Sequence, residues 1–202
     1  MKEHLTSKAA EWFSDLDAWN AFIELAPLSV SIQDLWLDVG SRALRKHFHD
    51  RPSPGWDFTA WEGYIRDTWW FLEEFGQDSV GIGYGWKYHL CLGVKSGQRV
   101  DRAALTERLL SEDYRPLLDA FGRNDPNDFG FPLHQYGDFS FGTANDGNLS
   151  EHEIAWHAGH RTGAFVEQAA AKIEAFTRNP ETTELMRRLN LELLGRGSGE
   201  GS

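Results

Sequence analysis

Between positions 152 and 160 the chain reads His-Glu-Ile-Ala-Trp-His-Ala-Gly-His, three histidines and a glutamate in one short run. At 100° per residue on a helix, Glu153, His157 and His160 fall together beside an apolar stripe of Ile154, Ala158, Phe165, Ala169, Ile173 and Phe176. One carboxylate and two imidazoles are suitable donors for a divalent metal. With an acid from the strand region, Glu73 or Asp138, they would make a metal-dependent hydrolase. The spacing departs from the His-Glu-x-x-His zincin pattern, because the second histidine comes one residue late. Histidines on a solvated or interface face are the commoner use of such a cluster.

The other chemical patterns lead less far. Glu73, Glu74, Asp78, Lys87 and Lys95 resemble nuclease ingredients, but glycines stand two residues before each lysine, where a magnesium-holding acid would be needed. Gly81-x-Gly83-x-Gly85 lacks the helix and the Lys-Ser/Thr of a phosphate loop. Asn145-Asp-Gly-Asn148 lacks the later bidentate glutamate of a calcium loop. There is no Gly-x-Ser-x-Gly elbow. Cys91 has no basic cradle to lower its pKa, and no catalytic residue is assigned.

Nine tryptophans are many for 202 residues. Trp12, Trp19, Trp36 and Trp69 fit core stripes. Trp56, Trp61, Trp70 and Trp156 are left over, and with His152 they are the expected partner-binding residues, since exposed aromatics anchor interfaces. The charge supports the same reading. Thirty-one acids against 20 bases leave a net charge of -11, which repels a phosphate backbone and attracts a basic protein.

A single cysteine suggests a reducing compartment, and no segment has signal-peptide or membrane-span character, so a cytoplasmic protein without membrane attachment is expected. Residues 1–194 are expected to form one globular domain. Residues 195–202 have the composition of a flexible Gly/Ser-rich tail.

These residues must be positioned by helices at both ends of the chain and strands between them. Trp12, Leu16, Trp19 and Ile23 predict a first helix over 7–25, stopped by Pro27. Ser31 predicts the N-cap of a second, with Val30 and Leu35 as a hydrophobic staple, running to His47. Asp50 to Gly55 reads as a loop. From 56 to 75 a helix giving way to a strand is favoured, because Thr59 and Glu62 resemble a capping box whereas Thr68 to Leu72 is strand-like.

Residues 80–95 alternate apolar and small or polar residues with period two. Glycines on one face imply a hairpin near Gly83 to Gly85, or an element packed closely on the backbone there. Spacing predicts a helix over 102–121 interrupted near Pro116, and one or two short strands between Phe129 and Phe141. Ser150 with Glu153, and Leu149 with Ile154, start a long helix to Arg178, and Asn179-Pro180 starts a last one. The fold class is α+β: N-terminal helices, a central mainly antiparallel sheet and long C-terminal helices packed on it. The function expected from the sequence is an acidic, aromatic-rich binding protein for a basic protein partner, such as an antagonist or immunity-type inhibitor, with no cofactor. Its rival is the divalent-metal hydrolase.

Overall fold

A computed structural model describes residues 11–13, 15–61, 64–84, 90–95, 99–121, 133–135, 139–143 and 149–196, without the side chains of 61, 64–67, 133–135 and 196. Asp15 caps the helix labelled α1, Leu16–Leu25, its carboxylate accepting the Ala18 N–H at 2.7 Å. The chain then passes through a single 3-10 turn, Ala26–Leu28, into α2, Ser29–Asp50. Pro27 does not end the helical region as expected. It sits in the first turn of the 3-10 segment, where no N–H is required and its fixed φ suits a helix. Ser31 is therefore inside α2, and Val30 and Leu35 are both exposed, so the expected cap and staple do not form.

The loop at Asp50 to Gly55 is present, and Gly55 takes a positive φ of 76° before the sheet begins. Strands β1, Trp56–Trp61, and β2, Tyr64–Leu72, pair antiparallel, with Phe58 opposite Trp70 and Thr59 opposite Trp69. The helix expected from 56 is absent, and Thr59 lies inside a strand. Trp61, Ile65 and Trp69 are four apart, a spacing that serves a strand as well as a helix. The density of aromatic and β-branched residues favours the strand.

β3, Val80–Tyr84, and β4, Leu90–Val94, are the arms of the expected hairpin, Val80 facing Val94 and Tyr84 facing Leu90. The sheet runs β1-β2-β3-β4-β5, all neighbours antiparallel, ending on the short β5, Leu133–Gln135. Close packing on the glycines also occurs. A Cβ at Gly81 would lie 2.4 Å from the Trp70 carbonyl oxygen and 2.8 Å from Trp69 Nε1, so the absent side chains make room for the buried Trp69. The opposite face carries Val80, Ile82, Trp70 and Leu92 into the main core.

α3, Arg102–Leu109, is separated from α4, Arg115–Phe121, by a 3-10 turn at Glu112–Tyr114. The interruption thus precedes Pro116, which occupies the first turn of α4 without disturbing it. The capping box at Ser150 and Glu153 forms as expected, but the helix it starts is broken at Arg161 into α5, Glu151–His160, and α6, Thr162–Thr177. Thr162 Oγ1 donates to the Ala158 carbonyl at 2.7 Å, a back-bond of the kind that bends helices. α7, Pro180–Arg196, begins with Asn179 Oδ1 accepting the Glu181 N–H at 2.9 Å. It continues past Gly195, the expected start of the tail. The architecture is α+β, with a central antiparallel sheet between N-terminal and C-terminal helices. No described helix is long and apolar enough to cross a membrane.

Candidate functional site

The buried side of α2 presents Gln33, Leu37, Gly40, Ser41, Leu44 and Phe48, at the i, i+4, i+7 spacing of a core stripe. The crossing with α5 and α6 is close. A Cβ at Gly40 would lie 2.7 Å from Ala158 Cβ, and one at Gly159 would lie 2.7 Å from Trp36 Cγ. These two glycines let α5 approach α2 closely and bring Trp36 against Gly159.

An aromatic ladder follows from that crossing. Trp36 meets the His160 ring edge-on at 4.7 Å, and His160 stacks on Trp156 at 5.0 Å and 8°. The Arg161 guanidinium lies over the Trp156 ring at 5.6 Å, a cation–π contact. Trp156 remains 41% exposed at the outer end. Next to it, an apolar groove of about 300 Å3 opens between Phe22 and Leu25 of α1, Ile32 and Trp36 of α2, and His152 and Ala155 of α5.

From this groove α1 extends as an arm. None of its residues is buried, and its main packing contact among the described elements is the 3-10 turn that follows it. Leu16 is 71% and Trp12 64% exposed; Trp19, Phe22, Ile23 and Leu25 are exposed as well. Phe13, Trp19 and Phe22 form an aromatic cluster, with ring separations of 4.7 to 5.9 Å. The surface continues onto the outer side of α2 through Leu28, Val30, Leu35 and Val39. Soluble domains seldom leave so much contiguous apolar surface in water without a use for it.

The charge along this stretch of the chain has one sign. Between Glu11 and Val39 the acids are Glu11, Asp15, Asp17, Glu24, Asp34 and Asp38, and there is no lysine or arginine. That stretch holds six of the 31 acids. The next basic residue along the chain, Arg42, hydrogen-bonds Asp38, and the contact holds the guanidinium proton more firmly than usual.

The expected metal residues do not converge. Glu153 Oε2 accepts the Ser150 N–H and hydroxyl, both at 2.8 Å, so this carboxylate serves the helix cap. His157 is 3% exposed and stacks on Phe141 at 3.8 Å, whereas His160 faces outward in the ladder. Glu73 is an exposed turn residue directly after β2, and Asp138 lies outside the described residues. Among the described residues, no three His, Cys, Asp or Glu side chains come close enough to hold a metal ion.

Of the expected partner-binding residues, His152 and Trp156 do share one surface. Trp56 and Trp70 do not belong to it, being 3% and 1% exposed in the core. Their alternation in paired strands, with Trp56 opposite Leu72 and Trp70 opposite Phe58, turns them inward. The side chain of Trp61 lies outside the description. Conversely Trp12 and Trp19, expected in the core, are on the arm. The residues missed, Phe22, Leu25, Ile32 and Trp36, had a visible signal. Residues 16–25 are apolar at 16, 18, 19, 21, 22, 23 and 25, more than one stripe can bury, and no base interrupts them. No protein-family model, curated protein or solved structure matches this chain.

Proposed function

We propose that this is a binding protein that captures a basic protein partner on the α1 arm, the α1–α2 groove and the Trp156 ladder. The observation that carries the reading is the unburied apolar face of α1, in a stretch, Glu11 to Val39, that holds six acids and no lysine or arginine. Apolar side chains already in water gain about 25 cal/mol per Å2 when a partner covers them. A rim of carboxylates accelerates the encounter with a positively charged surface and rejects acidic ones. The same carboxylates oppose a second copy of the chain and an anionic lipid surface. Trp156 suits the role of anchor, because its ring is already held by His160 and Arg161 and loses little freedom on binding. An antagonist of a basic enzyme or toxin uses this combination of fast charge-steered encounter and aromatic anchoring.

The test is affinity capture from lysate of the source cell with three altered baits. One carries Leu16→Asp and Phe22→Asp, one replaces Asp15, Asp17, Glu24 and Asp34 by their amides, and one carries Trp156→Ala. A basic protein should be retained by the unaltered chain at low salt and lost from each altered bait, with an association rate that falls as salt rises. If the captured proteins are the same for all four baits, or are acidic, the proposal is wrong.

A further inference from the structure

The groove between α1, α2 and α5 contains one polar group that the fold leaves unused. Gln33 lies on the buried side of α2, one turn before Leu37, and is only 9% exposed. Its carboxamide makes no hydrogen bond among the described residues and keeps contact with solvent through the groove, which it lines with Phe22, Leu25, Ile32, Trp36 and Ala155. Phe22 and Leu25 are exposed, so the groove is open along its α1 side. Ser29 and His152, both exposed, complete the polar lining. No acid, lysine or arginine lines the groove.

An amide so nearly covered has lost most of its water and gained no partner in exchange, and an occupant that pairs with it recovers that loss. Each observation narrows the occupant. Without a charged lining residue, an ion would enter the groove with no counter-charge. A hydrocarbon would cover the carboxamide and leave it unpaired. A carboxamide offers one carbonyl acceptor and two N–H donors, so its complement carries an N–H and a C=O side by side. In a protein that complement is the main chain. Within a helix both groups are engaged four residues away, whereas one residue of an extended strand turns its N–H and C=O to the same side and exchanges two hydrogen bonds with a facing peptide group.

We infer, given the proposed capture of a basic protein, that the groove receives an extended segment of that partner. One of its residues donates its backbone N–H to Gln33 Oε1 and accepts from Gln33 Nε2, and a neighbouring apolar side chain covers Phe22 and Trp36. The partner's basic residues flank this neutral contact and stay outside the groove.

The test is titration of the 15N-labelled chain, following the Gln33 side-chain amide signals, which Gln33→Met assigns. The probe is acetyl-Lys-Leu-Phe-Leu-Lys-amide, compared with three analogues that each carry an ester oxygen in place of one of the three central N–H groups. The peptide should shift the Gln33 signals saturably, and one ester should bind about tenfold more weakly. On Gln33→Met that ester and the peptide should bind alike. Gln33→Met should also melt no lower than the parent, because the amide it removes has no partner within the fold. No saturable shift, three esters equal to the peptide, or the same ester penalty on Gln33→Met would each overturn the inference. A Gln33→Met chain that melts well below the parent would overturn it too. The two readings fail separately. A basic protein lost from the Leu16→Asp and Phe22→Asp bait but held equally well by a Gln33→Met bait would overturn the extended segment and keep the proposed function. An ester-sensitive peptide with no basic protein captured would keep the groove and overturn the partner.

Discussion

Trp36 of α2 rests so closely on Gly159 of α5 that a Cβ at position 159 would fall 2.7 Å from Trp36 Cγ and 2.8 Å from its Cδ1. The indole cannot retreat without leaving His160, whose ring it meets at 4.7 Å. Gly159→Ala should therefore destabilise the chain by about 1–3 kcal/mol and disorder the ladder that carries Trp156. Gly163, with open space around its Cβ direction, provides the control: Gly163→Ala should stabilise by about 0.5–1 kcal/mol. Urea unfolding of the two variants checks both signs, and a Gly159→Ala chain as stable as the parent would show that the close contact is not constraining.

Asn190, fully buried on α7, serves as a backbone partner for Val80 at the start of β3. Its Oδ1 accepts the Val80 N–H at 2.8 Å, and its Nδ2 donates to the carbonyls of Val80 at 3.1 Å and Met186 at 3.0 Å. Asn190→Leu removes both ends of this bridge and leaves buried backbone groups without partners. The expected loss is about 2–4 kcal/mol, from two groups at roughly 1–3 kcal/mol each less the added apolar contact. The measurement is the urea midpoint at unchanged slope. Capture of a partner on the arm should persist while the variant is folded.

Stability and binding should separate on the arm. Leu16→Asp and Phe22→Asp place charges where the side chains already face water, so each should change folding stability by no more than about 0.5 kcal/mol. Leu37→Asp, one turn from Gln33 on the buried side of the next helix, should prevent folding. Thermal melts distinguish the cases. A large fall in melting temperature for the α1 variants would mean that the arm is packed and not available to a partner.

Acid stability should depend on Glu192. Its carboxylate accepts a hydrogen bond from Arg108 Nε, and that contact holds its pKa below the usual carboxylate value. A lowered folded-state pKa contributes stability that is complete above the unfolded value, about 4.3, and disappears as pH falls through the folded one. Glu192→Gln should therefore destabilise at pH 7 and make little difference in acid. Urea unfolding of parent and variant at several pH values should converge in acid, and a gap that stays constant with pH would assign the effect to packing.

The α5 start was legible because it is local: the Ser150 and Glu153 side chains satisfy backbone groups three residues away, wherever the helix later goes. The β3–β4 hairpin was legible because period two survives the turn, leaving glycine opposite glycine at 81 and 93. The β1 strand was misread because spacings of four suit both a helix and a strand, and strand pairing with residues 64–72 is a partner choice that no local pattern states. Helix breaks moved for a related reason. Pro27 and Pro116 are harmless in a first turn, and only the path of the chain shows that they occupy one.

The candidate site divides along the same line. Sequence alone determined the amount of aromatic surface, the acidic stretch from Glu11 to Asp38 and the amphipathic stripes, because composition and helical period are properties of the chain itself. It also put His152 and Trp156 near one another, four residues apart on α5. Tertiary structure decided which tryptophans are wet. Trp56 and Trp70 turn inward through strand pairing, Trp12 and Trp19 stay exposed at an end of the chain where no described element buries α1, and Trp36 joins the ladder because Gly159 lets α5 come close. Burial is a relation between elements distant in sequence, so an apolar stripe says that a partner is needed without saying whether the partner lies in the same chain.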